Sequence, residues 1–184
     1  MSEITFHKLS WNQYVDDCLE LATTMKDVHF DKIVAISRGG LIPARIFSDL
    51  LDTAISHMTI SSYSGFGAVK EPYISEVPLH SFEDKTILII DEVSDSGKTF
   101  QRATSYFNNF PVKKVYTLSP YIKPRTKFIP DFWIKNIDSW IIFPYDLRET
   151  KESFIKMYGD EKSAVKKLLE VGFTKKEVAI LEKL

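Results

Sequence analysis

A buried strand that ends in two carboxylates places the tightest constraint on how this chain folds. Residues 87–90 are four consecutive aliphatic residues, a run typical of a parallel-sheet strand that is covered on both faces. Asp91 and Glu92 follow directly, and the small polar run 95–99 (Asp-Ser-Gly-Lys-Thr) opens a helix predicted to extend to about Asn109. The carboxylates can accept hydrogen bonds from hydroxyl groups, and the N–H groups at the helix start can bind a phosphate. The pattern therefore predicts a site for a ligand that carries both.

The end of this run also matches a nucleotide-binding P-loop, because Gly97-Lys98-Thr99 completes G-x-x-x-x-G-K-[ST]. That motif needs a glycine at position 92, where the backbone turns around the phosphates. Position 92 is Glu, whose carboxylate would repel a triphosphate. The P-loop interpretation is therefore rejected.

The rest of the first 147 residues alternates between strand and helix patterns. Ser10 is suited to cap the first helix. Helices are predicted at 11–25 and from about 42, and strands at 32–37, 53–62, 73–79, 114–118 and 140–143. Such alternation predicts an α/β fold with a Rossmann-like parallel sheet flanked by helices. Ligands of these sheets bind beyond the C-terminal ends of the strands.

After about residue 148 the strand patterns stop, and apolar residues recur at helical spacing among many Lys and Glu residues. Two short helices are predicted around Gly172, with Thr174 as the cap of the second. The predicted domain organisation is therefore a main domain at 1–147, including a flap at about 62–80, and a helical C-terminal extension at 148–184.

Charge and cysteine content narrow the function classes. Twenty-four basic and 25 acidic residues give a formal net charge of −1, which argues against a nucleic-acid-binding protein. The single cysteine, Cys18, fits a helical core pattern and a reducing compartment. The N-terminus lacks the apolar run of a signal peptide, and no stretch is apolar enough for a membrane span. A cytoplasmic protein with no membrane partner is expected.

The central run resembles the phosphoribosyl-pyrophosphate motif of the type I phosphoribosyltransferases, in which two acidic residues precede an Asp-Thr/Ser-Gly turn. The resemblance implies that Asp91 and Glu92 hold the ribose hydroxyls of the donor. It also implies that the turn binds the 5′-phosphate and that Asp95 accepts a proton from N7 of the base. The implied phosphate-binding residues are Asp95, Ser96, Gly97, Lys98 and Thr99. Glu92 and Ser96 depart mildly from the commoner Asp and Thr.

A second turn, Ser37-Arg38-Gly39-Gly40, follows the strand predicted at 32–37. Two glycines let the backbone approach an anion closely, and Arg38 adds a fixed positive charge. A turn with a solvated Arg is the simpler alternative. Beside the central motif, the segment resembles the pyrophosphate loop of the bacterial xanthine-guanine branch of the family, which implies that Ser37, Arg38 and Gly39 bind pyrophosphate.

Other segments extend the resemblance along residues 30–148. Ser62 and Tyr63 match a Ser-Tyr pair on a lid that covers the reaction centre. Lys123 matches a lysine that donates to the 6-oxo group of a purine. Residues 138–146 resemble the segment that holds the purine in the xanthine-guanine branch. The resemblance implies that Trp140 stacks on the base and that Ile141 supplies backbone contacts. A solvated Lys and a Trp packed in the core are the alternatives to these assignments.

The resemblance implies transfer of ribose 5-phosphate from phosphoribosyl pyrophosphate to a 6-oxopurine, giving a purine nucleoside monophosphate and pyrophosphate. It further implies an Mg²⁺ cofactor near Asp91, Glu92 and Asp146, held mostly through water or substrate, and a homodimer or homotetramer. Two alternatives stay open: a phosphoribosyltransferase for another base, and a regulator that binds phosphoribosyl pyrophosphate or a nucleotide. Because the segment 148–184 is rich in Lys, nucleic-acid binding stays open as a property of such a regulator.

Overall fold

The computed structural model describes residues 4–63, 69–79 and 81–184, with the backbone alone at 62, 63, 69 and 70. The described residues fall into two compact units. The core unit contains 15–63, 69–79 and 81–138, and the terminal unit contains 4–14 and 139–184.

The helices and strands are numbered separately in chain order. The helices are α1 (Trp11–Thr23), α2 (Leu41–Leu50), α3 (Lys98–Phe107), α4 (Leu147–Tyr158), α5 (Glu161–Glu170) and α6 (Lys175–Leu181). The strands are β1 (Phe6–Lys8), β2 (Lys32–Ser37), β3 (Ile55–Tyr63), β4 (Val69–Glu76), β5 (Thr86–Ile90), β6 (Val93–Ser94), β7 (Lys114–Leu118), β8 (Tyr121–Ile122), β9 (Lys135–Asn136) and β10 (Trp140–Ile142).

A five-stranded sheet in the order β4-β3-β2-β5-β7 forms the centre of the core unit. Strands β3, β2, β5 and β7 are parallel, and β4 pairs antiparallel with β3. Strand β4 begins four residues before the strand predicted at 73–79. All five residues of β5 are buried, because helices cover both faces of a doubly wound sheet. One face packs Val34, Ile36, Ile87 and Ile89 against Phe100, Ala103 and Phe107 of α3. The predicted α/β fold with a parallel sheet is confirmed.

Three short strands, β6, β8 and β9, form a second parallel sheet in the core unit. Asp17 of α1 is buried beneath them and accepts hydrogen bonds from Tyr121 Oη at 2.8 Å and Lys135 Nζ at 2.6 Å. Since a buried carboxylate is costly without partners, these two donors tie β8 and β9 to α1. The sequence pattern did not predict these strands, which have only two residues each.

The terminal unit combines a two-stranded parallel sheet, β1 with β10, and the helices α4, α5 and α6. The strand predicted at 140–143 therefore pairs with β1 and not with the five-stranded sheet. The two helices predicted around Gly172 are α5 and α6, and Thr174 caps α6 in a reciprocal capping box with Glu177. Helix α4 was not predicted. The boundary predicted at residue 147 stays a prediction.

Candidate active site

Two turns meet where the chain leaves the neighbouring strands β2 and β5. Chain connections depart in opposite directions from these strands, so the crevice at their C-terminal ends is the expected ligand site of a doubly wound sheet. Ser37 ends β2, and Asp91 follows β5. A Cβ built on Gly39 would overlap the carboxyl group of Glu92. The predicted pyrophosphate turn and acidic pair are therefore in direct contact.

In the acidic pair, Asp91 is buried and Glu92 is partly buried. Burial, with the nearby charge of Glu92 second, raises the pKa of Asp91 well above its ordinary value. Glu92 Oε2 and Ser37 Oγ are both buried, and neither has a hydrogen-bond partner among the described residues. Oxygen atoms left this way usually indicate a site for a donor group or a cation that comes from outside the chain.

The raised pKa of Asp91 gives a prediction about stability. The folded protein binds the Asp91 proton more tightly than the unfolded chain does, so this group favours folding at low pH and loses that effect as the pH rises through its raised pKa. We expect Asp91→Asn to lose turnover yet to have a higher Tm than the unsubstituted protein at pH 8, measured without Mg²⁺ or substrate. The gain in Tm should shrink as the pH falls.

Asp31→Asn is the control, because its expected change in Tm at pH 8 has the opposite sign. The Asp31 carboxylate accepts a hydrogen bond from Thr86 N at 2.7 Å, and this bond is the main cause that lowers the pKa of Asp31. A lowered pKa contributes stability above the ordinary pKa of the group that is lost as the pH falls. Asp31→Asn should therefore lower Tm at pH 8. Equal changes in Tm for the two variants would contradict the account of Asp91.

The predicted phosphate turn leads into α3 as expected from its residues. Gly97 has φ +82°, a left-handed conformation that glycine adopts at little cost, and it caps the helix that begins at Lys98. The N–H groups of the first helical turn have no carbonyl partner within the helix, and with the positive end of the helix dipole they are suited to an anion. Lys98 forms an ion pair with Glu71 of β4.

A neighbouring loop, 123–128, supports this turn and was not identified from the sequence. The N–H of Lys123 donates to Ser94 O at 3.0 Å, and that of Lys127 donates to Ser96 O at 3.2 Å. A Cβ at Gly97 would lie 2.6 Å from the backbone nitrogen of Phe128. This loop, called the support loop below, therefore fixes the shape of the phosphate turn through backbone contacts that leave little trace in a sequence pattern.

The support loop also brings two cations to the turn. Lys123 is buried, and burial lowers its pKa to about 8, with Asp95 among the charges that oppose the shift. Arg125 donates to both oxygens of Asp95, from Nε to Oδ1 at 2.5 Å and from Nη2 to Oδ2 at 2.7 Å. Lys123 was predicted as a site residue, whereas Arg125 was not.

Three further predicted site residues belong to the terminal unit. Trp140 and Ile141 lie on β10 in the terminal unit, where Trp140 is partly buried and packs against the apolar cluster of the helices. Asp146 precedes α4, and its Oδ2 accepts a 3.4 Å hydrogen bond from Phe143 N. The side chains of the predicted lid pair, Ser62 and Tyr63, lie outside the described residues, as do residues 64–68 and 80 of the flap.

The core unit combines a glycine turn, an acidic pair and a helix N-terminus at the switch point of a parallel sheet. The family model of the phosphoribosyl transferase domain matches residues 10–150. The chain therefore belongs to the phosphoribosyl transferase domain family, and its resemblance to the type I enzymes is confirmed.

Individual relatives agree with this assignment. The xanthine-guanine phosphoribosyltransferase of Gluconobacter oxydans is 31% identical over 149 residues, which covers 78% of this chain and 86% of that protein. The enzyme of the same name from Ruegeria sp. is 32% identical over 156 residues, covering 77% and 85% of the two chains. The crystal structure of a purine phosphoribosyltransferase from Pyrococcus horikoshii superposes with a TM-score of 0.69 at 29% identity, covering 76% of this chain and 93% of that one.

Proposed function

We propose that this protein transfers ribose 5-phosphate from phosphoribosyl pyrophosphate to a 6-oxopurine, releasing pyrophosphate and a purine nucleoside monophosphate. The observation that carries the proposal is the contact between Gly39 and the Glu92 carboxyl group at the ends of β2 and β5. Two groups that the reaction must separate, pyrophosphate and ribose, would then have adjoining binding sites. The similarity to xanthine-guanine phosphoribosyltransferases supports a purine as the acceptor.

In this proposal the donor lies across the C-terminal edge of the sheet. Asp91 and Glu92 accept hydrogen bonds from the ribose hydroxyls, and the unpartnered Oε2 of Glu92 supplies an acceptor for them. The amides and hydroxyls of 95–99 bind the 5′-phosphate at the start of α3. Ser37, Arg38 and Gly39 bind the pyrophosphate, whose negative charge increases as the glycosidic bond breaks.

The residues present are suitable for Mg²⁺. Carboxylate and hydroxyl oxygens are the ligands that Mg²⁺ prefers, and Asp91, Glu92 and Ser37 provide such oxygens, two of them buried without partners among the described residues. The described residues hold no cluster of three His, Cys, Asp or Glu side chains around one point. Mg²⁺ usually binds one or two carboxylates together with substrate phosphates, and when bound it neutralises charge on the leaving pyrophosphate. Asp146 is proposed as a further carboxylate near the metal.

Recognition of the base is assigned to three residues. Lys123 donates to the 6-oxo oxygen, a contact that disfavours an amino group because two donors would then face each other. Trp140 stacks on the ring, and Ile141 supplies backbone contacts. Asp95 accepts the proton from N7. The same proposal treats 62–80, with Ser62 and Tyr63, as a lid, 148–184 as a helical extension, and the protein as a homodimer or homotetramer.

The pKa of Lys123 makes base binding sensitive to pH. Burial lowers this pKa to about 8, so the ammonium form that donates most strongly is lost as the pH rises through that value. We expect the KM for hypoxanthine to rise between pH 7 and 9.5. Lys123→Met should raise this KM about 10–10²-fold at pH 7, the cost of losing a charged hydrogen bond.

The control is the pH dependence of the variant itself. In Lys123→Met the KM for hypoxanthine should no longer depend on the ionisation near pH 8, whereas the KM for phosphoribosyl pyrophosphate should follow the unsubstituted protein. A KM for hypoxanthine that stays constant from pH 7 to 9.5 in the unsubstituted protein would contradict the role of Lys123.

Product identification tests the proposed reaction directly. The protein is incubated with phosphoribosyl pyrophosphate, Mg²⁺ and hypoxanthine, and the nucleoside monophosphate is identified by mass and retention. A parallel incubation with a chelator tests the metal requirement. Inosine monophosphate formed only when both substrates are present is the expected product. If hypoxanthine, and guanine and xanthine incubated in the same way, give no nucleoside monophosphate, the proposal is rejected.

A further inference from the structure

Arg125 donates one hydrogen bond to each carboxylate oxygen of Asp95, at 2.5 and 2.7 Å. This fork-to-fork arrangement is the most restrictive one that arginine makes, because the planar guanidinium fixes both the position and the plane of the carboxylate. Asp95 is the residue to which the proposed function gives the proton from the base. The pair therefore controls the geometry of a group whose reaction depends on its direction.

The backbone around Arg125 is anchored on both sides to the turn that carries Asp95. Lys123 N bonds to Ser94 O, and Lys127 N bonds to Ser96 O. Between these contacts, Ser94 Oγ lies 2.9 Å from Thr126 Oγ1. The segment with Arg125 and the segment with Asp95 are thus joined on either side of the ion pair, which holds the two side chains in register.

A contribution to the stability of the fold does not explain why Arg125 and Asp95 form this ion pair. The side chains of Arg125 and Asp95 are 67% and 34% exposed, and ion pairs with this much solvent contact contribute little to folding. The chain has a comparable pair, Arg45 with Asp49 on α2, whose hydrogen bonds are 3.4 Å long. The shorter bonds of Arg125 serve orientation more than folding.

The two hydrogen bonds from Arg125 leave the Asp95 carboxylate able to accept a proton. Each carboxylate oxygen has two lone pairs, and a bidentate guanidinium uses one on each oxygen. One acceptor site per oxygen stays available for a proton, now in a direction fixed by Arg125. We propose that Arg125 is a positioning residue, which orients the Asp95 carboxylate toward the N7 proton of the purine without contacting the substrate.

A double-mutant cycle tests this inference, which rests on the proposed function. Arg125→Gln should lower kcat about 10–10²-fold, the cost of a misdirected catalytic group, and change KM for phosphoribosyl pyrophosphate less than about twofold. In an Asp95→Asn background the same change should lower kcat less than about twofold, because the carboxylate that Arg125 orients is already gone. Arg125→Lys, with a charge but no fork, should fall between Arg125→Gln and the unsubstituted protein.

Arg45→Gln is the matched control, since it removes an exposed arginine from its pair with Asp49 on α2 and neither residue is a proposed site residue. In this variant kcat and Tm should stay unchanged. Equal losses from Arg125→Gln in both backgrounds, a rise confined to KM for phosphoribosyl pyrophosphate, or near-normal turnover of the single variant would each overturn the positioning role. The unsubstituted protein is assayed first. Its inactivity with every base would contradict the proposed function, whereas normal activity with additive losses contradicts only the role of Arg125.

Discussion

Asp95→Asn is expected to lower kcat about 10²–10⁴-fold, the range typical for loss of a general base. The side chain keeps its shape, but the amide group is a poor acceptor for the proton of the base. The KM for phosphoribosyl pyrophosphate should change little, because the main-chain amides of the turn are retained. Steady-state kinetics with a 6-oxopurine measure both constants.

The fold should survive this substitution. Asp95 is partly exposed, and its ion pair with Arg125 contributes little to the free energy of unfolding. Tm is therefore the control measurement, and Asp49→Asn, which weakens the exposed pair with Arg45, is the matched control variant. Turnover of Asp95→Asn within a few-fold of the unsubstituted protein would show that another group accepts the proton.

Gly40→Ala is expected to destabilise the protein by about 3 kcal/mol or more, the upper range for overpacking a rigid core. A Cβ at Gly40 would overlap the carbonyl oxygen of Ile90 and lie 2.6 Å from that of Ile36. Both atoms belong to the backbone of the two central strands, which cannot move apart without breaking their pairing. Denaturant unfolding monitored by far-UV circular dichroism measures the loss.

The neighbouring substitution, Gly39→Ala, is the matched comparison. Here the three atoms nearest to the added methyl group all belong to the carboxyl end of the Glu92 side chain, which can rotate away. We expect Tm to stay near that of the unsubstituted protein, while kcat/KM for phosphoribosyl pyrophosphate falls about 10²-fold as the displaced carboxylate misaligns. Similar stability losses for the two variants would show that the contacts of Gly39 and Gly40 are not those described.

The sequence predicted the elements whose signals are local. Buried aliphatic runs identified β2 and β5, because a strand covered on both faces needs apolar residues at nearly every position. The Thr174 cap and the turn at Gly97 were likewise predictable from single residues with a definite conformational role. The adjacency of the two turns followed from the rule that parallel strands end at one edge.

Contacts over long sequence distances were not predictable in the same way. Strand β10 carries an apolar run suited to the main sheet, yet it pairs with β1, some 130 residues earlier in the chain. The bond between Arg125 and Asp95 depends on backbone contacts between two loops, and no periodic pattern marks it. Strands of two residues, such as β8, are too short to produce any pattern.

The most direct test of the central claim is pyrophosphate release from phosphoribosyl pyrophosphate and Mg²⁺ with one base at a time. The panel contains hypoxanthine, guanine, xanthine, adenine, uracil and orotate. We expect turnover with at least one of the three 6-oxopurines and none with adenine, uracil or orotate. Turnover with adenine or a pyrimidine alone would contradict the assignment of the base, and binding of the donor without turnover on any base would make the protein a sensor rather than an enzyme.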